Sequence, residues 1–425
     1  MVRGAATLTS AAQAMSCVAL VLLLASTAAS SSTARAQDQA PGSGTALGLE
    51  VMTDQLRLPV HVLPLDDGSR RLLVTQLEGL VVLVAPDGSS AELPFLDLRH
   101  RVTGLEGEQG LFSATLEPAS RAAARNRARH LVVAFTERDS GDLVIAGYPV
   151  DPSLERADEQ AEVLLLRIPM PEPYHHGGQV TFGPDDYLYV SVGDGLSESR
   201  TLPFTLAPAA SLGHRRGSLL RIDPFPVDGA APYLIPPDNP FVGHQPDRGD
   251  PDAASEIWAY GFRNPWRFGF DARSGALLLS DPGTDRWEVI HRVVRGGDHG
   301  WPSREGPSCS LVPGTEVLYD PDCDERAHVP ALVALPHASR DPAGARAIVA
   351  GVVVTDPDLP SLAGRYLFGD VVSGRLWALD LDRGDVELVL ETGRRLTAIV
   401  TGANDEVLMV SLEGVLARLA PIRAP

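Results

Sequence analysis

The stretch YLFGDVVSGRLWALDL, from Tyr366 to Leu381, decides how the chain is to be read. Two apolar runs flank a turn made of Asp, Ser and Gly, which is the pattern of a β-hairpin. Comparable units begin near Leu72 (LLVTQLEGLVVLV), Leu131 (LVVAFTERDSGDLVIAGY), Tyr187 (YLYVSVGDG), Leu277 (LLLSDPG) and Val407 (VLMVSLEGVLARL). Six such units point to an all-β chain folded as a six-bladed β-propeller with long inter-strand loops. The widest gaps lie between Tyr187 and Tyr366, so the central blades carry the long loops, where binding and catalysis usually reside. Helical periodicity is weak. Residues 119–129 read as one short exposed helix whose clustered arginines form a solvated face.

A chain of 425 residues buries one large core or two modest ones, and no low-complexity block divides it. Residues 1–36 read as a secretory signal, with Arg3 ahead of an apolar stretch from Ala14 to Ala29 and an Ala34-Arg35-Ala36 cleavage pattern. Residues 37–48 read as a flexible leader and residues 49–425 as the propeller. The expected product is secreted or periplasmic, and no later segment is long and apolar enough to span a membrane. Cys17 falls in the signal, which leaves Cys309 and Cys323; in an exported protein these read as a disulfide staple, with a metal or redox role as the sharper alternative. A formal charge of −19 argues against nucleic acid and anionic membranes as partners. The sequence contains no lysine, so every fixed side-chain cation is an arginine and lysine-based nucleophilic chemistry is excluded.

Four segments hold candidate chemistry. In EIWAYGFRNPWRFGFD (256–271), Pro265 stops a strand and leaves Arg263 and Asn264 where a ligand can arrive. The blander reading has Arg263 packing its stem on Trp258 and Trp266 with its head in water. In YHHGGQVTFGPDDYLYVSVGDG (174–195) a hairpin brings Asp194 back beside His175, and a carboxylate there fixes the imidazole tautomer for general-base work. Gly177 and Gly178 allow a flat ligand close to the backbone. GLEGEQGLFSATLEP (104–118) sets Glu106 and Glu108 in a glycine-rich turn, facing a cleft or plain solvent. SDPGTDRWEVIHRVVRGGDHGWPSREG (280–306) offers turn carbonyls suited to calcium, with Asp281, Asp285 and Glu288 nearby.

These words, with GSLLRIDP, IPPDNPF and LAGRYLFGDVVSGRLWALD in the same order, resemble the glucose/sorbosone dehydrogenase family over roughly residue 58 to the end. That family comprises six-bladed propellers that use pyrroloquinoline quinone (PQQ) and Ca2+. The resemblance implies that His175 is the general base that removes the C1 hydroxyl proton of an aldose or related alcohol as hydride passes to the quinone. It implies that Asp194 orients His175, that Arg263 stabilises charge on the quinone oxygen, and that Asn264 and Glu108 lie beside the cofactor. The carbonyls of Gly283 and Thr284 take the calcium position, and Arg375 is a candidate counter-charge for the quinone acids. The chain departs from the family at Tyr174, at Gln179, in the segment LSESRTLPFTLAPAA (196–210) and near Thr355, where a cofactor-binding cation is expected to be missing. The implied partners are a small sugar or alcohol and an unidentified electron acceptor. The alternative reading is a propeller without the cofactor that only binds carbohydrate or protein, and a calcium-dependent lactonase is a third.

Overall fold

A computed structural model describes residues 46–102, 106–196, 207–227, 229, 231–245, 249–311 and 318–422. The expected signal and most of the expected leader lie outside these residues. Six antiparallel sheets, each a meander of four main strands, form the six blades. Blade 1 comprises Pro59–Pro64, Leu72–Gln76, Leu80–Val84 and Leu96–Asp97. Blade 2 comprises Leu111–Leu116, His130–Thr136, Leu143–Pro149 and Val163–Ile168. Blade 3 comprises Gly177–Phe182, Leu188–Val192, Ser218–Pro224 and Ile257–Tyr260, with the short strand Tyr233–Leu234 added at one end. Blade 4 comprises Arg267–Phe270, Leu277–Asp281, Trp287–Arg292 and Val333–Pro336. Blade 5 comprises Ile348–Val353, Tyr366–Asp370, Arg375–Leu379 and Val386–Glu391. Blade 6 comprises Leu396–Thr401, Val407–Ser411 and Val415–Pro421, and its fourth strand comes from the other end of the chain, Leu47–Thr53. That closing strand pairs from Leu47↔Pro421 onward, so the last two residues of the expected leader belong to the propeller.

The six units of the sequence each fall on the second strand of a blade. The physical reason is burial on both faces: Leu72–Gln76, Leu188–Val192, Leu277–Asp281, Tyr366–Asp370 and Val407–Ser411 are buried at every residue. A strand sandwiched between two neighbouring blades has no solvent side, so it reads as a continuous apolar run rather than an alternation. The outer strand Val386–Glu391 is intermediate or exposed throughout and gives no such signal.

The inner strands touch their neighbours in a closed ring. Arg267, fully buried on the inner strand of blade 4, ties this ring at its axis. Its guanidinium donates to the carbonyls of Val60 (2.7 Å), Phe112 (3.1 Å), Trp266 (3.1 Å) and Thr397 (3.1 Å), on or beside the inner strands of four blades. Burial pulls its pKa down to about 9. Gln179 also bridges inner strands, donating to Phe268 O at 2.7 Å and accepting from Phe268 N at 3.0 Å.

The arginines of residues 119–129 do not form a solvated face. The helix is confined to Ala119–Ala124, and Arg121 is buried against Glu117 and Asp223. Arg125 pairs with Asp223 at 2.8 Å, and Arg129 reaches Asp66 at 2.7 Å. These cations stitch blades 1, 2 and 3 together because acids on adjacent blades, invisible to local charge patterning, lie within reach.

Candidate active site

Every inner strand starts at one rim of the propeller and every second strand returns to it. Residues just before an inner strand or just after a second strand therefore converge on that rim, which explains why four separated sequence segments meet. Glu108 precedes the inner strand of blade 2, His175 that of blade 3, and Arg263 and Asn264 that of blade 4. Asp194 follows the second strand of blade 3, and Asp281 ends that of blade 4.

His175 Nδ1 lies 2.7 Å from Asp194 Oδ1, and both side chains are about 1 % exposed. An ionised carboxylate only accepts, so Nδ1 carries a hydrogen, and in the neutral ring the lone pair then lies on Nε2. Nε2 is buried and has no partner among the described residues. Asp194 Oδ1 also accepts from Leu196 N, and Oδ2 from Trp301 Nε1, each at 2.8 Å. Burial opposes ionisation of Asp194, but the charge and hydrogen bond of His175, with Arg263 behind them, bring its pKa down to about 2.

The backbone of His175 is left-handed, with φ of 56°. Such a conformation costs a non-glycine residue on the order of 1–3 kcal/mol and persists only where neighbours hold it. Here Glu108 Oε2 accepts from His175 N at 2.8 Å, and Asn264 Oδ1 accepts from Gly177 N at 3.0 Å. Asn264 Nδ2 closes the loop by donating to Glu108 Oε2 at 3.2 Å. Gly177 is required beside it, since its φ is 65° and a Cβ would lie 2.9 Å from Gly193 N.

Arg263 and Asn264 are fixed from the other side by Asp281, whose two carboxylate oxygens accept their backbone amides at 2.9 and 2.6 Å. Burial pushes the Asp281 pKa up to about 7, against those two hydrogen bonds. Arg263 is 6 % exposed, so its head is not in water. It donates to Pro282 O at 3.0 Å, lies 5.7 Å from the centre of the Trp301 ring and leaves Nε without a partner among the described residues. The arginine that packs on Trp266 is Arg267, 4.0 Å from that ring's centre.

The structure thus gathers His175, Asp194, Glu108, Arg263 and Asn264 in one bonded network, with the Gly283–Thr284 turn beside Arg263. Arg375 stands apart: its guanidinium binds Glu391 at 2.9 Å and the carbonyls of Pro342 and Gly344. Thr355 is overturned as the place of a missing counter-charge. It follows the far end of the blade 5 inner strand, is exposed and bonds Asp405 at 3.1 Å. Seven residues of extended chain separate it from Ile348 at the site rim, roughly 23 Å. Trp301 and Glu305, in GGDHGWPSREG, carry no local sign of their contacts. Both sit on the excursion between the third and fourth strands of blade 4, whose destination no local pattern encodes. The excursion also holds the expected disulfide, Cys309–Cys323.

Beside the network is an apolar cavity lined by Val60, Leu77, Val371 and Leu412 together with Thr397, Trp266 and Glu108.

The fold is thus a six-bladed propeller with a His–Asp pair and a buried Arg–Asn pair on one rim. The sequence profile described as Glucose / Sorbosone dehydrogenase matches residues 56–418, and the chain belongs to that family. It is 31 % identical over 240 residues to the HIPL1 protein of Arabidopsis thaliana, an overlap of 54 % of this chain and 33 % of that protein. Against the human Hedgehog-interacting protein the identity is 29 % over 273 residues, 59 % of this chain and 37 % of that protein. The chain therefore spans about a third of the length of these relatives. The PQQ-bound form of the aldose sugar dehydrogenase from Streptomyces coelicolor superposes with a TM-score of 0.63 over 90 % of this chain and 99 % of that one, at 21 % identity, a likeness of fold.

Proposed function

We propose that this protein is an exported dehydrogenase that oxidises the C1 hydroxyl of an aldose or a related alcohol, with PQQ and Ca2+ as cofactors. The observation that carries the reading is His175, held through Nδ1 by Asp194 while Nε2 is buried and unpartnered. The residues present suit these cofactors. His175 Nε2, Arg263 Nε, Glu108 Oε1 and Thr284 Oγ1 are buried polar atoms without partners among the described residues. Each such orphan costs about 1–3 kcal/mol, which a polar ligand relieves. Arg263 and Glu108 would hold the quinone, and the Gly283 and Thr284 carbonyls would hold calcium.

When bound, the quinone supplies an acceptor for the hydride leaving C1. His175 takes the hydroxyl proton at Nε2, and ionised Asp194 stabilises the imidazolium that results. Arg263 supplies fixed positive charge in a buried setting where negative charge develops. Asn264 spends its amide on Gly177 and Glu108 and so keeps His175 in its left-handed conformation. The burial of the whole network keeps competing water away from the base.

A second reading, a propeller that binds carbohydrate or protein without the quinone, draws on the apolar sector at Val60, Leu77, Val371 and Leu412, which offers nothing to a tricarboxylate. The deciding experiment loads the purified chain with PQQ and calcium and follows dye-linked oxidation across a sugar panel. Cofactor uptake with activity abolished in His175→Ala supports the dehydrogenase. Absence of uptake overturns it in favour of the binding propeller.

A further inference from the structure

Four consecutive amides of the turn after the second strand of blade 4 donate to a single oxygen. Thr284, Asp285, Arg286 and Trp287 reach Glu305 Oε1 at 2.8, 3.1, 2.9 and 3.2 Å. In a trans peptide the carbonyl points opposite to the N–H of the following residue. The carbonyls of residues 283 to 286 are therefore turned away from Glu305. Those of Asp285 and Arg286 accept from Arg340 Nε at 2.8 Å and His337 N at 2.9 Å. Those of Gly283 and Thr284 have no hydrogen-bond donor among the described residues, while the neighbouring Pro282 carbonyl takes Arg263. Two adjacent carbonyls turned away from Glu305 and without donors among the described residues are hard ligands for a divalent cation.

Gly283 is a condition of this arrangement, because a Cβ there would lie 1.8 Å from Trp287 O and 2.8 Å from Glu305 Oε1. Of the nearby acids, Asp281 holds the Arg263 and Asn264 amides, and Glu288 Oε2 accepts from Ile348 N at 3.0 Å while its Oε1 is buried without a hydrogen-bond partner among the described residues. Glu305 is itself anchored in a small hairpin, with Arg304–Glu305 paired to Ser308–Cys309. Trp287 Nε1 donates to Ser308 Oγ at 3.1 Å and Arg286 to Cys309 O at 2.8 Å, and the Cys309–Cys323 disulfide pins the same hairpin.

We infer that Glu305 is a positioning residue for a calcium site at the Gly283 and Thr284 carbonyls, acting by drawing the turn's amides to one side. The inference rests on the calcium assignment above, but its test does not need the quinone. Calcium alone is titrated into the full chain by calorimetry. Glu305→Ala should weaken binding at least tenfold, whereas Glu305→Gln, which keeps an acceptor oxygen and loses the charge, should stay within about threefold of the wild type. Gly283→Ala, with Glu305 intact, should also lose calcium, which keeps the test decisive if Glu305→Ala fails to fold. Equal weakening in the alanine and glutamine variants would assign the effect to charge and overturn positioning. Unchanged binding in both variants would overturn it as well. A wild-type chain that binds calcium but no quinone would leave this inference standing and end the dehydrogenase reading, and one that binds no calcium would end the inference.

Discussion

Blades 2, 3 and 4 bring Glu108, His175, Asp194, Arg263 and Asn264 to one rim, whereas blades 1, 5 and 6 bring Val60, Leu77, Val371 and Leu412 to the same rim. The strands of the two sectors follow one pattern, so the scaffold does not explain the contrast. It lies in the few residues at strand ends. Asp194 and Asp370 show this at its sharpest, since both mark the return of a second strand to the rim. Asp370 satisfies four backbone amides of its own blade, at residues 346, 347, 372 and 373. Asp194 turns instead to His175 and Trp301. A similar sequence sign caps a loop in one sector and holds the His175 ring in the other.

Substitutions separate the sectors by size and kind of effect. His175→Ala in the loaded protein should reduce dye-linked turnover by about 10²–10⁴-fold, the usual range for a general base. Arg263→Met should cost about 10²–10³-fold in kcat, comparable to removing one preorganised donor to a developing charge. Leu412→Ala, in the apolar sector, should instead destabilise the fold by about 2–5 kcal/mol in denaturant titrations. A turnover loss without destabilisation would show that the apolar sector takes part in chemistry.

The next effect is a pH dependence. The pKa of Asp194 is lowered from 3.8 to about 2 by folding, so its contribution is complete above pH 4 and is lost as pH falls through about 2. Acid unfolding of the wild type should show a loss of about 2 kcal/mol over that window. Asp194→Asn should lack it. The smallest expected effect is that of Thr355→Lys, on the opposite rim. Quinone affinity should change less than about twofold, because a charge some 20 Å away across solvent is largely screened. A clear gain in affinity would refute the placement of the site.

Much of this was legible in order of sequence. The second strands announced six blades because burial on both faces makes them continuously apolar, and the pairing of His175 with Asp194 followed from one hairpin, Gly177–Phe182 with Leu188–Val192. What local pattern does not encode is a partner on another blade or the rim that a strand end occupies. Arg121 and Arg125 read as solvated because Asp223 is about a hundred residues away in sequence. Thr355 read as a site residue because strand direction, which separates the two rims, has no local signature. The role of Arg267 has no local sign in its motif, since the carbonyls it binds belong to four different blades.

The sequence by itself determined the number of blades, the His175–Asp194 hairpin and the isolation of Arg263 and Asn264 by Pro265, because each follows from burial period or turn chemistry within a short window. Only the tertiary structure decided which rim each strand end occupies, which sector stays apolar and which acid holds the turn beside Arg263. Closing the ring sets those relations, since it fixes contacts between residues that the chain keeps far apart.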